Sequence, residues 1–142
     1  GTCLVGSEMC IRDSKKNIQT REISVQAIYQ LLFDSTISTK KIIKQFQEEN
    51  SPKRVNFQMF SSYVQEIKNK ESYLNGIFEK LEINDTDLID KAIIFLGIIE
   101  LEQEKFPKEV TFDECIRLAR KFSNPESYKF INACLDKFSK LN

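Results

Sequence analysis

Histidine and tryptophan are missing from this 142-residue chain, and glycine and proline are scarce, at 4 and 3. Without histidine there is no imidazole to activate a serine or cysteine nucleophile and no mixed Cys/His zinc set. The four cysteines contain no C-x-x-C pair, so a thiolate zinc site or redox motif is not expected either. Few glycines and prolines favour long helices over tight hairpins. No apolar run approaches the roughly 20 residues that span a bilayer. The longest, "AIIFLGII" at 92–99, suits a buried helix. Phosphate-cradling G-x-x-x-x-G-K-[ST], dinucleotide G-x-G-x-x-G and nucleophile-elbow G-x-S-x-G patterns are absent too. The expectation is a protein that is not an enzyme, with no cofactor, no metal and no membrane.

What is present is ordinary for one soluble domain. At 41% hydrophobic and 30% charged, the chain can bury a core and still cover it with charge. Cys115 and Cys134 fall on apolar helix faces, as reduced thiols do in the cytoplasm. Residues 1–14, "GTCLVGSEMCIRDS", follow neither the helical nor the strand period, and "SEMCIRDS" resembles translated adaptor sequence. They are expected to be a non-native or disordered leader, so that the authentic start lies elsewhere and the domain runs over 15–142.

From there the period is helical almost throughout. Ile18, Val25, Ile28, Tyr29 and Leu32 share a face from about Asn17 to Phe33. The break "DSTIST" precedes a short helix through Ile42, Ile43 and Phe46. Beyond "NSPK" come Phe57, Phe60, Tyr63, Val64 and Ile67, then Tyr73, Leu74, Ile77, Phe78 and Leu81. The oxygens of "NDTD" (84–87) are placed to cap a central helix from Leu88 to about Glu104. Gly97 within it costs about 1 kcal/mol relative to alanine and marks the close approach of a neighbour. Thr111 and Glu114 form a T-x-x-E capping box for the next helix. Asn124 and Pro125 suit the N-cap and first position of the last. The fold expected is all-α with about seven helices.

Zero net charge hides an asymmetry. Residues 79–104 are mostly acidic and are expected on an outer face, where no cleft would raise a carboxylate pKa. Residues 115–142 are mostly basic. One end suits a cationic partner and the other an anionic one, unless both are simply solvated faces. In "SNPESYKFINACLDKF" (123–138), Ile131, Cys134, Leu135 and Phe138 make the apolar stripe of the last helix. Phe130 stands about 100° to one side of it, roughly in line with Glu126 and Lys137, while Lys129 points outward. Such a ring either packs under a neighbouring helix or stacks on a nucleic-acid base with lysine near the phosphates. Lys15, Lys16 and Arg21 could likewise grip phosphates or be a solvated helix start.

Three blocks in order carry a resemblance. "REISVQAIYQLLF" (21–33), "LIDKAIIFLGIIEL" (88–101) and "FDECIRLARKFSNPESYKFINACLDKF" (112–138) resemble the opening, central and C-terminal helices of the NusB transcription antitermination factors, and the likeness covers about residues 17–139. It implies two packed three-helix subdomains with a connecting helix. It also implies RNA binding without catalysis: with the ribosomal protein NusE, such factors bind single-stranded boxA RNA, above all in ribosomal RNA transcripts, and help RNA polymerase pass terminators. By this resemblance Lys129 and Phe130, with Glu126 at a neighbouring acidic position, fall on RNA. Arg21 matches the last arginine of the family's basic segment, with Lys15 and Lys16 substituting for others. Tyr29 and Asp90 match positions associated with the protein partner. Where the family usually has arginines this chain reads "NIQTR", and Phe95 and Ala133 replace a usual Arg and Gly. Two other expectations are a helical protein-binding adaptor without RNA recognition, and a fragment of a ribosomal RNA cytosine methyltransferase, whose NusB-like domain precedes a catalytic region.

Overall fold

The computed structural model describes residues 8–141, with side chains from Ser14 onward. Among the described residues there are seven helices and no strand: α1 Glu8–Phe33, α2 Thr39–Glu49, α3 Phe57–Asn69, α4 Glu71–Lys80, α5 Leu88–Gln103, α6 Lys108–Phe122 and α7 Ser127–Ser139. The expected leader is divided. Residues 1–7 lie outside the described residues, whereas the backbone of 8–14 forms the opening turns of α1.

The helix α1 has two apolar faces and sits between two cores. Ile23, Ala27 and Leu31, four residues apart, pack with Ile42 and Phe46 of α2, Val55, and Phe60 and Val64 of α3. Val25 and Ile28 join a larger core with Tyr63 and Ile67 of α3, Leu74 and Phe78 of α4, and the interiors of α5, α6 and α7. The three-helix halves α1–α3 and α5–α7 are therefore present with α4 connecting them, but α1 and α3 reach into the second half's core.

Helix α5 is buried from Ala92 to Glu100, as an all-round apolar helix must be. A Cβ on Gly97 would lie 2.8 Å from Leu135 Cδ2 and 3.0 Å from Cys115 Sγ, so glycine admits α6 and α7 at close range. Cys115 and Cys134 are buried free thiols, and burial pushes Cys134 up to about 11.

Several helix starts differ from expectation. Asp87 is the N-cap of α5 without a side-chain hydrogen bond. Helix α6 begins after Pro107, so Thr111 lies inside it and forms no capping box. Its hydroxyl is buried and donates to Glu100 at 2.8 Å. Helix α7 begins at Ser127, with Asn124 and Pro125 in the preceding turn, where the Ser127 amide donates to the Asn124 carbonyl at 2.9 Å. The acidic stretch 79–104 is not wholly an outer face, because Asp90 and Glu100 are 6% and 1% exposed.

Candidate functional site

Phe130 is exposed. The residue is 39% accessible, because the last helix spends Ile131, Cys134, Leu135 and Phe138 on the core and leaves residue 130 on the shoulder. Lys129 stands next to it with its ammonium 3.2 Å from Glu126, both side chains largely in solvent. On the opposite shoulder of α7 the Arg120 guanidinium lies over the Tyr128 ring, 4.5 Å from its centroid. Tyr128 and Arg120 were not singled out from sequence, since their pairing needs the α6–α7 packing to be known.

The ring of Phe130 borders an open groove of about 550 Å³ whose walls include Glu79, Glu82, Asp85, Asp87 and Asp90. The α4–α5 turn brings these carboxylates together. Asp90 is nearly buried in the groove and accepts a hydrogen bond from the Ser123 hydroxyl at 2.5 Å, tying the start of α5 to the end of α6. The Asp90 carboxylate is thus engaged within the fold, and Asp87 is the exposed acid of that helix start.

On the other side of Asp87 lies a second, more apolar groove of about 800 Å³, walled by Gln26, Tyr29, Gln30, Leu88, Ile89 and Phe122. Tyr29 is 38% exposed and stacks on Phe33, 73% exposed, with centroids 6.4 Å apart and planes 17° from parallel. An aromatic pair held this far into water has more apolar area to bury than the fold uses. Phe33 escaped sequence reasoning because the last residue of a helix carries little phase information.

Arg21, expected on RNA by the resemblance, is enclosed in the fold. It is 3% exposed. Its Nε and Nη2 donate to the two oxygens of Glu100, both at 2.9 Å, and its Nη1 donates to Glu114 at 3.1 Å. The Phe106 ring covers the guanidinium, 4.6 Å from centroid to carbon. Burial alone would weaken this charge, but the hydrogen bonds and charge of Glu100 outweigh it and hold the Arg21 pKa above its ordinary value. Glu100 also accepts from the Tyr63 hydroxyl at 2.7 Å. Burial, then Glu100, drives the tyrosine pKa far upward. Arg21 therefore spends three of its five N–H donors on Glu100 and Glu114 and is sealed from solvent, because a buried carboxylate needs a paired counter-charge.

Lys15 is exposed and Lys16 partly so. Neither forms an ion pair among the described residues, in contrast to Lys121 and Arg117, which both engage Glu22, Arg117 at 3.2 Å. The structure thus brings Glu126, Lys129 and Phe130 together at one end of the molecule. Tyr29 and Asp90 lie at that end too, flanking Asp87, and Lys15 and Lys16 are at the other end of α1.

Comparison with known proteins decides the family. The NusB family model matches residues 18–140. The chain belongs to the NusB family. It is 34% identical over 126 residues to the transcription antitermination protein NusB of Psychromonas ingrahamii, covering 84% of each chain. It is 32% identical over 123 residues to that of Hydrogenovibrio crunogenus, covering 84% of this chain and 76% of the relative. A solved NusB from T. maritima superimposes with a TM-score of 0.76 at 23% identity, over 88% of this chain and 91% of that one. That likeness concerns the NusB fold. Among the described residues no helix is long and apolar enough to cross a membrane.

Proposed function

We propose that this NusB-family chain is a transcription antitermination factor that binds boxA-type single-stranded RNA together with the ribosomal protein NusE, within the antitermination complex of RNA polymerase. The observation that carries the reading is the half-exposed ring of Phe130 beside Lys129. A free aromatic face stacks on an unpaired base for about 1–3 kcal/mol without needing a particular sequence. The Tyr29–Phe33 stack and the carboxylate groove beside it suit a partner with apolar and cationic groups, as a ribosomal protein has. Named relatives of similar length are antitermination proteins.

The carboxylates around Phe130 and the pairing of Lys129 with Glu126 favour a second reading, a protein-binding adaptor that has lost RNA recognition. Fluorescence anisotropy with a boxA-type single strand, with and without NusE, at two salt concentrations, separates them. The RNA reading expects Phe130→Ala to weaken RNA binding by about 1–3 kcal/mol with an unchanged thermal melt, and Tyr29→Ala with Phe33→Ala to weaken NusE binding instead. No RNA binding in either arm, or a Phe130→Ala loss confined to NusE, selects the adaptor.

A further inference from the structure

With Arg21 buried, the question is which cations on this chain can meet phosphates. The seam between α1 and the turn before α3 supplies an answer. Thr20 sits at this seam with its hydroxyl used twice. It donates to the Lys16 carbonyl at 2.6 Å and accepts from the Asn56 amide at 2.9 Å. The segment 51–56 is thereby seated against α1, one helical turn from Lys16.

The same segment is internally fixed. The amides of Arg54 and Val55 both donate to the Ser51 carbonyl, at 3.0 and 3.1 Å, and the Lys53 amide donates to the Ser51 hydroxyl at 3.2 Å. Val55 is 2% exposed and anchors the turn in the core with Ile23 and Ala27. Lys53 and Arg54 are left exposed on a backbone that cannot easily turn away. Among the described residues, Lys15, Lys16, Lys53 and Arg54 make no ion pair, whereas Lys129, Lys121 and Arg117 all do. Glu48 and Glu49, at the end of α2, are the acids nearest in sequence to Lys53 and Arg54, and Asp13 is the one nearest to Lys15 and Lys16. Unneutralised positive charge is what polyanion binding requires, since each phosphate contact releases counterions.

We infer that Lys53 and Arg54, with Lys16 and Lys15, form a phosphate-binding edge for single-stranded RNA, separate from the stacking site at Phe130. This rests on the reading that the chain binds RNA. The edge lies at the opposite end of α1 from Tyr29 and the Phe130 groove. Tyr29 lies thirteen residues beyond Lys16 along the helix, or roughly 20 Å at the usual rise. An RNA that only occupies Phe130 does not reach the edge, and a longer strand does.

The test compares Lys53→Gln/Arg54→Gln with the unaltered chain, plus NusE, on two RNAs: a short boxA-type strand and the same strand extended by uridines at both ends. The expected result is about a tenfold loss on the extended RNA and a salt dependence shallower by about 0.7 per contact removed, with the short RNA unaffected and the melting temperature unchanged. Unchanged affinity and salt slope on the extended RNA, while Phe130→Ala still weakens binding, overturns the edge and leaves the RNA reading standing. Equal loss on both RNAs overturns its separation from Phe130. If the unaltered chain binds neither RNA, the edge and the RNA reading fall together.

Discussion

Arg21 and Phe130 are each close to a cationic group in sequence, yet one is sealed and the other open. For Phe130 helical phase within thirteen residues placed the ring on the shoulder of the apolar stripe but left open whether a neighbour covered it, which only the packing of α7 shows. For Arg21 it was not, because the residue that claims it, Glu100, is 79 positions away. The available hint was Glu100 itself, a carboxylate at the end of an apolar run that had to find donors somewhere. The energetic stake is large. Arg21→Ala leaves Glu100 buried with two hydroxyl donors and no counter-charge, and is expected to cost about 3–5 kcal/mol in urea unfolding. Replacing both partners, Arg21→Met with Glu100→Leu, should recover much of that loss, since the desolvated ions leave together. A double variant as unstable as the single one would mean that packing and not charge dominates the site.

Helix existence was legible at nearly every segment, and helix starts were not. The reason is competition between caps and prolines. Pro107 opens α6 a full turn before the T-x-x-E pattern, which frees Thr111 to serve Glu100. Asn124 and Pro125 spend themselves on a turn instead of the first helical residues. Gly97 shows the opposite case, where a single residue type announced its packing. The neighbours that a Cβ would meet, Leu135 and Cys115, are themselves buried, so neither can retreat into solvent. Gly97→Val is expected to destabilise by about 1–3 kcal/mol through overpacking, read as a shift in denaturant midpoint at constant slope. A neutral result would show that α5 and α7 can part without cost.

Across the whole molecule the sequence asymmetry of charge became a spatial one, though not as two plain faces. Carboxylates gather at the α4–α5 end, and Lys15 and Lys16 stand at the start of α1, while Arg21, Arg117 and Lys121 are paired with Glu100, Glu114 and Glu22 between them. Which end faced which could not be read from sequence, because the folding of α5 against α1 sets it. Buried acids of another kind set the alkaline limit. Burial raises the pKa of Cys115, of Cys134 to about 11, and of Tyr63. Raised folded pKa values mean that the native state holds these protons more tightly than the unfolded chain. Their contribution is full below the unfolded values, about 8.5 for a thiol and 10 for a phenol, and is lost as pH rises beyond them. Urea midpoints should therefore stay level from pH 7 to about 8.5 and fall above about 9. A midpoint that climbs over that interval contradicts the assignment.

Glu100 has a consequence for how the chain can be divided. It draws two donors from α1, one from α3 and one from α6, so any cut between the front and back helices leaves an ionised group with the Thr111 hydroxyl but no counter-charge to answer it. Neither fragment should persist alone in the cell. The two mixed together should regain helicity only at equal stoichiometry, as the parts of a lock that has no function until its one shared pin is seated.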